Sequence, residues 1–339
     1  MPQPKTDKLR VLYVSPGSPG PAEPWILGQQ SLRADIDWDV AYLPQTGSLA
    51  RLLAALFIPR RLGRYDLVVT AEYFEAAGMN LRLLLTLCRT RHVVWGLNQS
   101  RKTLTQKFVK PIADRLFRRS DAIVVHSTRE IDLFCDMHGL DRARFDFVHW
   151  GFDMPAVTPT AFSDGRAPYV CLIGRNNRDL LTFAKGLEGT GVNGVVIADE
   201  IPEPIRETLR AGGIEFQLKV PFNACLDCQR HAMASAVLLN DASRGAGHIT
   251  MVSAMFLGVP QIVTDTGVVK DYFTHEQHGL DVPLGAADEF RAAVIALRDD
   301  EPRRRRMGAN ARAFAAAHFT NDAVAARFLA IARRLGRKG

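Results

Sequence analysis

Short apolar runs, each long enough for one strand and no longer, most constrain what this chain can fold into. Arg10–Ser15 (RVLYVS), Asp39–Leu43, Asp66–Ala71 (DLVVTA), His92–Trp95 (HVVW), Ala122–His126 (AIVVH) and Phe145–His149 (FDFVH) recur through the first half, with helix-like stretches between them. A strand that is apolar without alternation is buried on both faces. Such strands, alternating with helices, pair in parallel, so the pattern predicts a doubly wound α/β sheet. A stretch rich in Pro, Thr, Ser and Gly, Asp153 to Pro168, interrupts the pattern and reads as a linker. The alternation then restarts with Tyr169–Ile173, Gly194–Ala198, Glu215–Val220, Ala236–Asn240 and Pro260–Thr264. At 339 residues the chain is too long for one ordinary core and sufficient for two. We therefore expect two doubly wound domains, residues 1–157 and 158–320. A final helix over 321–339, with Asn321 as its cap and Ala325, Phe328, Leu329 and Ala332 at helical spacing, is expected to pack back on the first domain. Ligands of such sheets sit at the carboxyl ends of the strands, which points to a cleft between the domains.

Several classes drop out early. No apolar run reaches the roughly 18–20 residues that span a bilayer, and Met1 to Arg10 lacks the apolar core of a secretory signal. A cytoplasmic location, peripheral on the inner face of a membrane, is the expectation. Five scattered cysteines are not a disulfide framework. Cys225, Cys228 and His231 resemble half a zinc site, but no second pair stands at suitable spacing, so no metal is expected. The formal net charge of +7 is concentrated in clusters, one running from Arg101 to Arg119, one from Arg303 to Arg306 and one from Arg333 to Lys338. These suit either solvated helix faces or attraction to anionic lipids or phosphate-bearing substrates. No recognised nucleic-acid motif accompanies them.

The strongest chemical signal is SRGAGHIT, residues 243–250, which follows a strand and opens directly into a helix that ends at Gly258 before Pro260. Glycines let the backbone approach a ligand, and the free N–H groups of a first helical turn form an anion site suited to a diphosphate. This segment resembles the donor-binding region of retaining glycosyltransferases of family 4, also called group 1, in which a glycine loop leads into a helix reading E-A-M-x-x-G-x-P. Here the corresponding residues are Ser253-Ala254-Met255-Phe256-Leu257-Gly258-Val259-Pro260. The likeness continues through Thr264–Tyr272, His278–Pro283 and Met307–Arg312. It implies the GT-B architecture: two Rossmann-like doubly wound domains facing across a cleft, with a nucleotide diphosphate sugar as co-substrate and no other cofactor.

In that family a basic pair after the first strand of the second domain contacts the diphosphate. Arg175 fits the arginine position, and Arg178 or Lys185 the lysine position. Gly247, His248, Ile249 and Thr250 would face the diphosphate and sugar; His248 suits either a sugar contact or a plain loop position. The resemblance also places Gly17, in the turn after the first strand, and Asn98, after the fourth, on the acceptor side. The departures are as informative. The family carries two glutamates eight residues apart, and Gly245 and Ser253 stand in their places. Ser253 would then contact the ribose at shorter reach.

A retaining reaction needs no obvious general base, whereas an inverting one needs a carboxylate or histidine at the acceptor hydroxyl. Glu72 and Glu75, just past the third strand, are the catalytic candidates for that case. The segment 101–119 reads as a basic helix with Leu104, Phe108, Ile112 and Leu116 along one face. It can dock on an anionic membrane or pack on its own sheet. The activity expected is sugar transfer from a nucleotide diphosphate sugar to a lipid-linked or polysaccharide acceptor in cell-envelope glycan or glycolipid synthesis. Two rivals remain: a non-catalytic nucleotide-binding scaffold and a nucleotide-sugar epimerase.

Overall fold

The structure, a computed structural model, describes residues 8–16, 30–43, 47–97, 110–163, 165–175, 177–242 and 245–336. Gly17, Asn98, the basic residues Arg101, Lys102 and Lys107, the apolar Leu104 and Phe108, and Ser243–Arg244 lie outside these. The chain divides into two compact units, residues 1–149 with 321–339, and residues 150–320.

The first unit runs β1 (Leu9–Pro16), α1 (Gln30–Arg33), β2 (Ile36–Leu43), α2 (Ser48–Leu56), β3 (Leu67–Thr70), α3 (Tyr73–Leu85), β4 (Arg91–Trp95), α4 (Lys110–Phe117), β5 (Ala122–Val125), α5 (Thr128–His138) and β6 (Phe145–Phe147). The strands form one parallel sheet in the order β2-β1-β3-β4-β5-β6. Period-two alternation sends side chains to opposite faces. Val11, Tyr13, Val93 and Val124 meet one helical layer, while Leu12, Val14, Val94 and Ile123 meet the other.

The second unit continues with β7 (Tyr169–Ile173), α6 (Leu180–Leu187), β8 (Asn193–Ala198), α7 (Glu203–Ala211), β9 (Glu215–Leu218), α8 (Phe222–His231), β10 (Ala234–Val237), α9 (His248–Leu257), β11 (Gln261–Thr264), β12 (Gly279–Val282), α10 (Ala287–Asp299) and α11 (Glu301–His318). Its parallel sheet has the order β12-β11-β10-β7-β8-β9. The last helix, α12 (Asn321–Gly336), belongs to the first unit. There Val324, Ala325, Phe328 and Ala332 are fully buried against β1, β3 and β4, with Phe328 stacked on Trp38 and set edge-on to Trp95.

Both sheets are doubly wound, as the alternating pattern predicts, and each has one point where successive strands leave in opposite directions. That switch point lies between β1 and β3 in the first unit and between β7 and β10 in the second.

Some elements differ from expectation for visible reasons. β2 starts at Ile36, because Leu9 donates its N–H to Asp35 and the pairing with β1 runs its full length. β12 is a four-residue edge strand whose Asp281 is half-buried, too short and too polar to stand out. α10 and α11 are separate helices because Asp300 leaves helical geometry and caps α11 through the Arg303 N–H at 2.9 Å. The linker-like segment is held by side chains: Asp227 accepts from Thr160 N (2.8 Å), Thr160 Oγ1 (2.6 Å) and Ser163 Oγ. Upstream, Trp150 N–H donates to the Tyr272 hydroxyl at 2.6 Å. In α4 the buried residues are Ala113, Leu116 and Phe117, whereas Ile112 is 66% exposed. Of the expected apolar stripe, Leu116 is therefore packed and Ile112 is not, while Leu104 and Phe108 lie outside the described residues.

Candidate functional site

The site is built at the switch point of the second sheet. β7 ends at Ile173 and the chain turns through Gly174. A Cβ on that glycine would lie 2.3 Å from Arg178 Nε, so only glycine lets the arginine fold back over the strand end. Arg178 Nε donates to the Ile173 carbonyl at 3.0 Å, and Nη2 lies 3.3 Å from Thr250 Oγ1 in the first turn of α9. From the other side of the switch point the chain leaves β10 and enters α9 at Gly247, whose φ of +90° favours glycine. A Cβ there would stand 2.7 Å from Val237 Cγ1 and 3.7 Å from Arg178 Nη2. Two backbone requirements thus bring one guanidinium against the N-terminal turn of a ten-residue helix. Asn240 donates to the Arg178 carbonyl at 2.9 Å and Asn177 to the Asp241 carbonyl at 3.0 Å, tying the two loops together.

The electrostatics follow from that geometry. Burial lowers the Arg178 pKa to about 10, which still leaves it cationic at neutral pH. The unbonded N–H groups of a helix start add a partial positive charge of the same sign. An anion seated there would meet both at once, and a guanidinium fork suits phosphate oxygens. His248 stacks on Tyr272 with centroids 4.7 Å apart, and Tyr272 stacks on Phe319 at 5.1 Å. Ile249 is exposed.

Other expected site residues are placed elsewhere. The Arg175 side chain is 79% exposed and pairs with Asp199 at 3.3 Å, at the end of β8. Asp179 caps α6 by accepting from Thr182 N at 2.9 Å. Lys185 lies in the last turn of α6, exposed, with its carbonyl taken by Arg291. Its place is five residues, roughly 8 Å of rise, beyond the start of α6 at Leu180, which Arg178 precedes. Ser253 is buried, and its hydroxyl lies 2.6 Å from Gln229 Oε1 and 3.1 Å from the Thr250 carbonyl. Gln229 in turn donates to Ser235 Oγ and to the Thr250 carbonyl, both at 2.9 Å. The position expected to meet a ribose is thus closed into a neutral, satisfied network. Gln229 carries no local sequence signal, since its partners lie 6, 21 and 24 residues away.

At the first unit's switch point Glu72 and Glu75 open α3, just beyond β3. The Glu75 carboxylate accepts from the Glu72 N–H at 3.3 Å, and its Oε1 is buried with no side-chain partner among the described residues. Burial pushes the Glu75 carboxyl up to about 7 and raises Glu72 as well. Tyr13 of β1, raised to about 12 by its own burial and then by the charge of Glu75, stands beside it. Of the two carboxylates Glu72 is the more accessible.

The half-zinc pattern dissolves in context. Cys228 is buried against Cys171, and His231 Nδ1 faces the Asp227 carbonyl at 2.9 Å. Among the described residues no group of three His, Cys, Asp or Glu is placed to hold a metal ion. No helix among them is long and apolar enough to cross a membrane.

Residues 204–314 match the family described as Glycosyl transferases group 1, and residues 7–154 match Glycosyltransferase Family 4. No curated protein matches by sequence. Among solved structures, Anabaena HepE in complex with UDP is 14% identical, with a TM-score of 0.73 over 97% of this chain and 100% of that one. Sucrose-phosphate synthase from Thermosynechococcus elongatus is 15% identical, TM-score 0.71, over 97% and 99%. The lipopolysaccharide outer core galactosyltransferase WaaB in its apo form is 13% identical, TM-score 0.71, over 96% and 100%. Matches of this extent give the GT-B fold.

Proposed function

From a chain whose two halves carry a glycosyltransferase family 4 domain and a group 1 glycosyltransferase domain on the GT-B fold, we propose the following activity. The protein transfers a sugar from a nucleoside diphosphate sugar to a lipid-linked or polysaccharide acceptor of the cell envelope. One observation carries the reading: a half-buried guanidinium, Arg178, seated against the N-terminal turn of α9 between two backbone positions that a side chain would obstruct. As the sugar–phosphate bond breaks, charge accumulates on the diphosphate, and a fixed cation and a helix N-terminus are already aimed at it. Because the protein supplies that positive charge itself, the leaving group needs no metal ion. HepE, seen with UDP, shares this fold. WaaB, named as a lipopolysaccharide galactosyltransferase, supports an envelope acceptor.

In an inverting reaction Glu72, the more accessible of the paired carboxylates, takes the proton of the acceptor hydroxyl while Glu75 holds the turn. In a retaining reaction neither is required. Gly17 and Asn98 are assigned to the acceptor side on sequence alone. A second reading, a nucleotide-binding scaffold without turnover, is favoured by the closed Gln229–Ser253 network where the family carries a glutamate.

A thermal-shift screen against UDP, GDP, ADP, CMP and dTDP, with and without magnesium, tests the proposal. Stabilisation by one nucleoside diphosphate without metal is expected, and it should vanish in Arg178→Ala. Binding without transfer from the matching nucleotide sugar to any envelope acceptor would leave the scaffold reading standing. No response to any nucleotide removes both.

A further inference from the structure

We propose that the first unit docks on an anionic lipid bilayer through one face formed by α2, the end of α3 and the turns that follow them. Leu49, Leu53 and Phe57 recur every four residues along one side of α2 and are all exposed, Phe57 at 74%, while Leu52 and Ala55 of the same helix face inward. Leu84, Leu85 and Leu87 are exposed at the end of α3, Leu85 at 68% and Leu87 at 85%.

The two sets belong to one surface because the ends of the helices are bonded together. Arg82 donates to the carbonyls of Ile58 and Arg60, the latter at 2.7 Å. Thr90 Oγ1 lies 2.9 Å from the Leu62 carbonyl and 3.2 Å from that of Tyr65. A Cβ on Gly78 of α3 would meet the Leu52 carbonyl at 2.2 Å, so α2 and α3 are in backbone contact. Six large apolar side chains left together in water are rare on a monomeric protein and mark a surface that meets something.

The surrounding charge selects the occupant. Residues 47–65 and 81–91 contain arginines and no Asp or Glu. Arg60 and Arg91 are neutralised from elsewhere, by Asp39 at 3.1 Å and Asp121 at 2.7 Å. Arg61, Arg64 and Arg89 are exposed and form no ion pair with a described residue. Leucine and phenylalanine rimmed by arginine match an anionic headgroup layer over hydrocarbon. A second copy of the chain, meeting this face across a two-fold axis, would bring the same arginines against each other.

This deepens the proposed function by naming the surface from which a lipid-linked acceptor would be approached. It rests on that reading only for its purpose, because lipid binding is measured without donor or acceptor. The experiment is co-sedimentation of the full chain with vesicles of phosphatidylcholine alone or with phosphatidylglycerol added. Binding is expected only with phosphatidylglycerol and should weaken as salt rises. Replacing Arg61, Arg64 and Arg89 together by Gln should lower the partition coefficient about 100-fold, each basic residue contributing about fivefold near an anionic surface. The pair Leu53→Ser with Phe57→Ser should also abolish sedimentation, and both variants should keep the wild-type melting temperature. Equal binding to neutral vesicles, or no loss in either variant, would overturn the proposal. So would a wild-type dimer that Phe57→Ser renders monomeric while lipid binding persists.

Discussion

The two switch points use the same geometry for opposite electrostatic ends. In the second unit the strand ends around β7 and β10 present a half-buried cation at a helix N-terminus; in the first, those around β1 and β3 present a buried carboxyl in the same kind of place. Burial moves both groups toward neutrality, Arg178 down to about 10 and Glu75 up to about 7. The consequence differs because the starting points differ. A guanidinium so shifted remains charged at neutral pH and still attracts an anion, whereas the carboxyl becomes half protonated and can hold or release a proton. A doubly wound sheet therefore offers one kind of location, and the residue placed there decides whether a fixed charge or a titrating group stands in it at neutral pH.

The sharpest way to break the comparison is to unsettle one unit and watch the other. Phe328→Ala removes a fully buried ring packed on Trp38 and Trp95 and should destabilise the first unit by about 3–5 kcal/mol. Stabilisation by nucleoside diphosphate should survive in calorimetry; its loss would mean that the second switch point depends on the first. Arg178→Ala should weaken diphosphate binding by about 1.5–3 kcal/mol in titration calorimetry without changing the fold of the first unit.

Glu75→Gln probes the other pole. The free carboxyl ionises near 4.5 and the folded one near 7, so the wild-type chain loses stability as pH rises through that window. The variant, having no charge to bury, should gain up to about 3 kcal/mol on the wild type by pH 7 and nothing below pH 4.5. Denaturant titrations at several pH values would show the divergence. Buried His92, held down to about 4, supplies an opposite slope that both proteins share and that cancels in the difference. Ser253→Ala should cost about 1–3 kcal/mol of stability by leaving Gln229 without its donor, with nucleotide affinity unchanged. A large affinity loss instead would return Ser253 to the ribose. The smallest effect is expected for Arg175→Ala, below about 0.5 kcal/mol in binding, because its side chain is exposed and turned to Asp199.

What could be read from sequence tracks how local the cause is. Tyr169–Ile173 and His92–Trp95 were legible because full burial writes itself as an unbroken apolar run, and α9 because Gly247 and Gly258 mark both its ends. The placement of Arg178 was half legible: its position after β7 was visible, but its seat against α9 comes from the Gly174 turn and from Thr250, 72 residues on. The hydrogen bond of Ser253 was not legible, because its partner Gln229 sits on another helix, 24 residues away. The packed side of α4 is legible at Leu116 but not at Ala113, which is too small to count in an apolar stripe and yet faces inward while Ile112 does not.

The position of α12 has a bearing on biosynthesis. The core of the first unit is completed by side chains from Val324 to Ala332, which leave the ribosome only after all of the second unit has been made. Until then the β1–β3–β4 face lacks its cover, and Trp38 and Trp95 lack the ring that packs on them. The second unit, contiguous in sequence, can close first, so the N-terminal half should be the late folder and the one in need of protection during translation.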